Sequence, residues 1–190
     1  MKKNLLTAVW FTLVTTLLFG VFYPLVVTGL SQVLFPKQAN GQLIERNGKV
    51  VGSAIIGQSF TGPGYFYSRP SNAGTGYDAT SSSGSNLAPT NKLLIERVKG
   101  DVQKAQAENP RASVPVDLVT ASGSGLDPDI SPAAAEFQIP RVASERRMTP
   151  GDLRALVHRH TTDRQLGVLG EPRVNVLGLN LDLDSRHPLQ

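Results

Sequence analysis

Cysteine is absent from this chain of 190 residues. Its absence excludes a disulfide framework, thiolate metal sites, iron–sulfur clusters and cysteine nucleophiles. The missing thiols do not identify the cellular compartment, since many exported domains also fold without disulfides. A chain of this length has room for one domain, or for one domain with an appendage.

A large excess of one charge is also missing. Lysine and arginine number 19 and aspartate and glutamate 15, which gives a formal charge of +4 and a pI of about 9.6. The charges are scattered along the chain, whereas nucleic-acid-binding domains concentrate positive charge on one face. The composition therefore does not indicate nucleic acid as a partner.

Recognisable motifs for catalysis and cofactor binding are missing as well. His158 and His160 are two residues apart, a spacing that does not place both on one face of a helix, and zinc sites need more ligands. Ser122–Gly125 lacks the frame of a nucleophile elbow, and Asp127–Asp129 lacks the rest of a calcium-binding loop. Neither a P-loop nor a dinucleotide fingerprint occurs. We therefore predict no catalytic residue, no metal site and no cofactor bound by this chain.

Charged residues are absent from one long N-terminal stretch. Asn4–Pro36 is a run of 33 residues without Asp, Glu, Lys, Arg or His. Its apolar part, Leu5–Leu34, exceeds the roughly 20 residues that cross a hydrocarbon core as a helix, and Pro24 should kink that helix. A cleaved signal peptide would have an apolar region about half as long, followed by a small-residue cleavage site. We therefore predict that residues 1–36 form a cytoplasmic stub and a single transmembrane helix.

The residues at the start of this helix predict its orientation and a neighbour. Lys2 and Lys3 favour a cytoplasmic N-terminus, so residues 37–190 would lie outside the cytoplasm. The predicted neighbours of the helix are membrane lipid and a second helix. Thr16 and Gly20 form a small-xxx-small pair that would let the second helix approach closely. The alternative is that such pairs are common in any single-span helix and have no special role.

Turn, cap and periodicity patterns predict a small α+β domain in residues 37–190. Asn47-Gly48 indicates a hairpin between two short strands, and Gly57–Pro89 is predicted to be a long ordered loop because it is rich in both glycine and aromatic residues. Helix start signals predict three helices, and a leucine alternation predicts a further strand. The predicted helices are Asn91–Glu108, Ser131–Gln138 (interrupted by Pro140) and one that opens at Thr149, and the predicted strand is Val174–Asp184 with a bulge near residues 176–177.

The aromatic residues of the long loop include a candidate contact surface. Strand-like alternation would put Tyr65 and Tyr67 on one face, with Arg69 beside them. Tyrosine and arginine side chains are common at protein interfaces, where they stack on each other. The alternative is that these aromatic side chains fill the core of a small domain.

A second candidate contact lies at the predicted helix break before Pro140. The break would leave Gln138 and Arg141 at a helix terminus. A glutamine amide there can both donate to and accept from a partner's backbone, and the guanidinium can add a charge-assisted hydrogen bond. The alternative is that both side chains tie down the helix end within their own domain.

Several ordered motifs resemble those of one protein family. With an N-terminal helix in front of them, the chain resembles KdpC, the C-chain family of the bacterial potassium-transporting P-type ATPases, over nearly its whole length. The motifs are FPKQANGQLI (35–44), GSAIIGQSFTGPGYFYSRPS (52–71), SGSNLAPTN (83–91), VPVDLVTASGSGLDPDISPAAAEFQIPRVA (114–143) and EPRVNVLGLNLDLD (171–184).

The resemblance implies a non-catalytic accessory subunit of an ATP-driven, high-affinity potassium uptake complex in the bacterial inner membrane. In that family a channel-like A chain selects potassium, a B chain hydrolyses ATP, and a small single-helix chain is a further partner, so ATP and potassium are handled by the complex. The C chain stabilises the assembly and is implied to raise the ATP affinity of the B chain. An outer domain cannot touch a cytoplasmic nucleotide site, so this effect would have to pass through the membrane helix, or the predicted topology is wrong.

Two other function classes remain open from the residues alone. One is a membrane-anchored periplasmic ligand-binding module, and the other is an anchored enzyme, which the missing catalytic motifs disfavour. Co-purification in mild detergent discriminates between them and the subunit, because only a subunit should bring large multi-span partners with it.

Overall fold

The computed structural model describes residues 2–189, which belong to two compact units divided between Val51 and Gly52. The first unit begins with a continuous helical stretch, Lys2–Leu34, with a mean hydropathy of 2.1 and no buried residue in its most apolar window. By length and composition this helix is able to cross a membrane. The helical segments of this unit are α1 (Lys2–Thr15), a π-helical segment (Thr16–Phe22), α2 (Tyr23–Leu34) and α3 (Pro36–Ala39).

The helix widens where the sequence predicts a kink. The π-helical segment ends directly before α2, whose second residue is Pro24, and the Tyr23 N–H donates to the carbonyl of Leu18, five residues earlier. Proline has no N–H and its ring crowds the preceding turn, so a wider turn ahead of Pro24 accommodates it. The hydroxyl groups of Thr7 and Thr15 donate back to carbonyls of Lys3 and Phe11, which satisfies them within the helix.

The hairpin predicted around Asn47-Gly48 is confirmed. Strands β1 (Leu43–Arg46) and β2 (Lys49–Ser53) pair as a two-stranded sheet. Asn47 and Gly48 have φ angles of 53° and 72°, as a type I′ turn requires.

The second unit combines helices with a small antiparallel sheet. The sheet order is β3 (Asp129–Ile130), β5 (Arg173–Asn175), β4 (Thr161–Thr162), with Ile130 opposite Val174 and Thr161 also opposite Val174. Phe66, from the irregular stretch between β2 and the next helix, is fully buried in the helix-rich core. The elements are α4 (Lys92–Glu108), a 3₁₀ turn (Val116–Leu118), β3 (Asp129–Ile130), α5 (Pro132–Arg146), α6 (Pro150–Arg159), β4 (Thr161–Thr162), β5 (Arg173–Asn175) and α7 (Val176–Arg186).

Three predicted helix starts are confirmed by their caps. The side chains of Asn91, Ser131 and Thr149 accept hydrogen bonds from backbone N–H groups of the first turns of α4, α5 and α6. Each cap satisfies a donor that would otherwise be left without an intrahelical partner. The predicted long loop is also confirmed, since residues 57–89 contain no regular helix or strand.

The predicted strand Val174–Asp184 is wrong beyond its first two residues. The chain leaves β5 at Asn175, whose side chain accepts a hydrogen bond from Gly178 N at 2.9 Å and caps α7. The buried positions Val176, Leu179 and Leu183 recur at helical spacing. In the helix, Leu179 and Leu183 lie on one side with Val176, whereas Leu177 and Leu181 lie on the other. What looked like a bulge is the strand-to-helix junction.

Helix α5 does not end at Gln138, so the helix break that we predicted is wrong. The helix runs through Pro140 to Arg146. Pro140 and Glu136, whose carbonyl loses its helical donor, both lie on the exposed side, where water can replace the bond. Burial of Val142 and Ala143 in the following turn offsets the cost of the proline.

Candidate functional site

An extended segment of the long loop, Tyr65–Phe66–Tyr67, is held by two buried amide side chains. Asn180 of α7 accepts from Phe66 N at 2.9 Å and donates to Phe66 O at 3.0 Å. Gln138 of α5 accepts from Tyr67 N at 2.8 Å and donates to Tyr67 O at 3.1 Å. Each side-chain amide thus pairs with both polar groups of one residue, as a neighbouring strand would. Successive residues of an extended chain point their backbone polar groups to opposite sides. Helices α7 and α5 therefore bind the segment from opposite sides.

Guanidinium groups cover the two tyrosine rings of this segment. The Cζ atom of Arg141 lies 3.9 Å from the centre of the Tyr67 ring, and that of Arg146 lies 4.7 Å from the centre of the Tyr65 ring. Such stacking is favourable because the ring face is electronegative. Strand-like alternation predicts Arg69 beside these tyrosines, whereas the structure brings Arg141 and Arg146 there.

Arg141 is a junction between three parts of the second unit. It donates to the carbonyls of Pro63 and Tyr65, to Gln138 Oε1 at 2.7 Å and to the Glu108 carboxylate at 3.0 Å. These bonds join α5 to the end of α4 and to the loop. Gln138, with a relative exposure of 2 %, is likewise used inside its own unit. A contact of Gln138 or Arg141 with a partner stays a prediction.

Arg69 ties the long loop to the segment before β3. It forms a salt bridge with Asp127 at 2.8 Å and donates to the carbonyls of Thr120 and Ala121. The hydroxyl of Tyr77 donates to the Arg69 carbonyl, and burial raises the pKa of this phenol. Arg69 therefore anchors the loop at a place separate from the stacked tyrosines.

Two residues at the centre of this network were missed by sequence reasoning. Arg146 has a fully buried side chain that donates to Gly64 O and His187 O, each at 2.7 Å, and to Asp184 Oδ1 at 2.8 Å. Asn180 lies between Leu179 and Leu181, so the alternation of the wrongly predicted strand would place it on the polar side. Had α7 been recognised as a helix, Asn180 would have stood out as a polar residue on its apolar face.

Carboxylates near β3 and at the end of α7 are also paired internally. Asp129 contacts Arg173 and Asn175, and its pKa is raised because burial disfavours the charged form. Asp182 contacts His160 at 3.1 Å and Arg186 at 2.5 Å. Burial alone would raise the pKa of Asp182, but the hydrogen bonds from Arg186 and His160 outweigh it and lower the pKa.

Metal binding has no support from side-chain geometry in residues 2–189. Within that range no group of three or more His, Cys, Asp or Glu residues is arranged to hold an ion. His158 is exposed, and the His160 ring faces Asp182 rather than His158.

Thr16 and Gly20 lie on the exposed surface of the apolar helix. Both belong to the π-helical segment, and a Cβ atom added at Gly20 would lie 3.8 Å from Cγ2 of Thr16, an ordinary contact. The helix therefore tolerates a side chain at Gly20 on its own. Whether another helix uses this surface stays a prediction.

These features define a class of protein: a long, exposed apolar helix at the N-terminus and a small mixed α/β domain whose central polar side chains serve its own fold. Residues 5–185 match the family model described as "K+-transporting ATPase, c chain". The chain belongs to this family, KdpC.

Curated relatives align with almost the entire chain. The protein from Koribacter versatilis is 60% identical over 189 residues, which cover 100% of this chain and 98% of the relative. The protein from Acidobacterium capsulatum is 59% identical over 186 residues, with 97% and 100% coverage, and that from Rhodopseudomonas palustris is 55% identical over 197 residues, with 97% and 99%. All three are named "Potassium-transporting ATPase KdpC subunit".

Proposed function

We propose that this chain is a non-catalytic accessory subunit of an ATP-driven potassium uptake complex of the P-type, anchored in the bacterial inner membrane by one helix. The observation that carries the proposal is the 60% identity, over the entire chain, to a potassium-transporting ATPase KdpC subunit. Its partners are the potassium-selecting A chain, the ATP-hydrolysing B chain and a small single-helix chain. ATP and potassium are handled by the complex.

Physical features of the N-terminal helix support the membrane anchor. At about 1.5 Å per residue, its 33 residues exceed the roughly 30 Å of a hydrocarbon core. Its apolar side chains are exposed along its length, including Trp10, Phe11 and Phe19, and water would disfavour so large an apolar surface. Lys2 and Lys3 favour a cytoplasmic N-terminus, which would put residues 37–190 on the periplasmic side.

A structural role for the second unit agrees with how its polar groups are used. The buried polar side chains of Gln138, Asn180 and Arg146 are each hydrogen-bonded within the unit. A rigid domain of this kind suits docking and stabilisation of larger subunits. An effect of this chain on the ATP affinity of the B chain would be transmitted by the membrane helix, since the outer unit lies across the membrane from the nucleotide.

Omission of the chain tests its role in the complex. The complex should be produced with and without this chain, and potassium-stimulated ATP hydrolysis measured over a range of ATP concentrations. We expect the complex without this chain to lose activity or to show a raised KM for ATP, and addition of the purified chain to restore the wild-type values. Identical activity and KM in both preparations would contradict the proposal.

Protease accessibility tests the proposed topology. Protease added to intact spheroplasts should trim the chain to a membrane-bound stub, because residues 37–190 lie outside. A cytoplasmic protein of the same cells is the control for intactness. Full protection of the domain in intact spheroplasts, followed by digestion after lysis, would refute the periplasmic location.

A further inference from the structure

A small hairpin tip between β4 and β5, Gln165–Gly170, exposes three aliphatic side chains. Leu166 is 90% exposed, Val168 71% and Leu169 56%. Among the residues that the structure describes, Leu166 is the most exposed large apolar side chain, more so than any on the N-terminal helix. Single exposed apolar residues are ordinary, but three within four positions form a patch.

The tip is ordered by its own backbone. Gln165 N donates to Leu169 O at 2.8 Å, Leu169 N donates back to Gln165 O at 2.9 Å, and Gly167 N donates to the Arg164 carbonyl at 3.1 Å. The three apolar side chains are therefore presented in a fixed arrangement, which reduces the entropy lost when they bind.

Leu166 occupies a backbone conformation that its side chain disfavours. Its φ angle is 53°, in the left-handed region, where a Cβ atom crowds the backbone and where glycine or asparagine is the relaxed choice. Folding gains nothing from this leucine, because the side chain is exposed as well as strained. Strained conformations of this kind occur where a residue is used in function.

Charge around the tip points to a protein as its partner. Gln165–Gly170 contains no charged residue, and the Arg164–Glu171 ion pair at 2.5 Å lies at its base. An apolar centre with a polar rim is the usual anatomy of a protein–protein interface. Segments that enter lipid surfaces instead carry excess Lys or Arg with Trp or Tyr, and here Glu171 cancels the charge of Arg164.

The size of the patch makes a second copy of this chain an unsuitable partner. Three aliphatic side chains bury far less than the roughly 800 Å² per partner of a stable interface. The tip therefore fits an assembly that other contacts already hold together. In the proposed complex, the anchoring helix supplies such contacts.

We propose that the hairpin tip docks into an uncharged apolar groove on the outer surface of a large partner subunit of the same ATPase. This inference rests on the proposed function. Leu166 is the central anchor of the contact, and Val168 and Leu169 pack beside it.

Photo-crosslinking and a matched pair of substitutions test the inference in the full complex. The variant Leu166→p-benzoylphenylalanine, irradiated in the purified complex, should form an adduct with a large subunit. The variant Leu166→Asn relieves the strained backbone and removes the apolar anchor, so we expect about tenfold faster loss of the chain from the immobilised complex. The control Leu93→Asn changes a leucine of α4 that is 66% exposed, and it should dissociate at the wild-type rate.

Each outcome bears on the inference separately from the proposed function. An adduct with a second copy of this chain, or no protein adduct while the wild-type complex stays intact, would overturn the docking site and leave the proposed function standing. Equal dissociation of Leu166→Asn and wild type would also overturn it. If the wild-type chain brings no partner subunit with it, the proposed function fails and the docking site fails with it. The melting temperature of Leu166→Asn should equal or exceed that of the wild type, and a lower one would contradict the strain at Leu166.

Discussion

Replacing Gln138 by alanine distinguishes a buried fold-stabilising residue from a partner contact. The Gln138 amide pairs with both backbone groups of Tyr67, accepts a hydrogen bond from Arg141, and is 2 % exposed. If its role is internal, the variant should unfold at a lower temperature. If its role is to contact a partner, the chain should keep its stability while the activity of the assembled complex falls.

The expected loss of stability follows from the groups left without partners. Gln138→Ala leaves the N–H and the carbonyl of Tyr67 unpaired in a half-buried position, at about 1–3 kcal/mol for each group that water cannot reach. Because Tyr67 is only partly buried, we expect about 2–3 kcal/mol in total. For a unit of this size, that corresponds to a melting temperature lower by about 5–10 °C.

Calorimetry of the full chain in detergent measures this change directly. Ser144→Ala is the matched control, since Ser144 is an exposed residue of the same helix and its loss should change the melting temperature by less than about 2 °C. A Gln138→Ala melting temperature equal to that of the wild type would refute the internal role. Loss of potassium-stimulated ATPase activity at unchanged stability would then assign Gln138 to a partner contact.

Two further predictions concern the N-terminal helix and the ion pairs of α7. Gly20→Leu should leave the melting temperature of the second unit unchanged but lower recovery of the complex in detergent, because a bulky side chain keeps a neighbouring helix away; unchanged recovery would count against this packing. The pKa of Asp182 is lowered in the folded state by its bonds to Arg186 and His160. These bonds therefore contribute their full stabilisation above the unfolded-state pKa of about 3.9. That stabilisation is lost as the pH falls through the lower folded-state pKa. Asp182→Asn should therefore reduce stability at pH 7 and flatten its fall below about pH 4, and denaturation curves with the wild-type acid slope would contradict this assignment.

Local signals in the sequence predicted those parts of the fold that depend on few residues. The caps Asn91, Ser131 and Thr149 each satisfy a nearby backbone donor, and the Asn47-Gly48 turn depends on two φ angles. These features depend only on neighbouring residues, so the sequence alone predicts them.

Elements decided by tertiary packing could not be read in the same way. The leucines of Val174–Asp184 alternate as in a strand, but burial of Val176, Leu179 and Leu183 against the core selects the helix. Pro140 is tolerated within α5 because the turn after it is buried while the proline itself faces solvent.

The sequence patterns indicated four residues of the candidate site, as members of two separate candidate contacts, but not Asn180 or Arg146 and not how these residues pair. Tyr65, Tyr67, Gln138 and Arg141 do lie together. Arg146 escaped notice because a charged residue is seldom fully buried, and only the convergence of carbonyls and a carboxylate around it permits this. Arg69 joined a different cluster, since the long loop turns away after Tyr67 toward Asp127.

Co-purification of the tagged full-length chain from mild detergent is the most direct test of its role as a subunit. The chain should bring with it, in fixed proportion, two large multi-span proteins: one that selects potassium and one that hydrolyses ATP. A matched preparation in which Leu5–Leu34 is replaced by an unrelated membrane-spanning helix should recover less of both, because helix contacts contribute to assembly. Recovery of the tagged wild-type chain alone, folded and in good yield, would contradict its assignment as an accessory subunit.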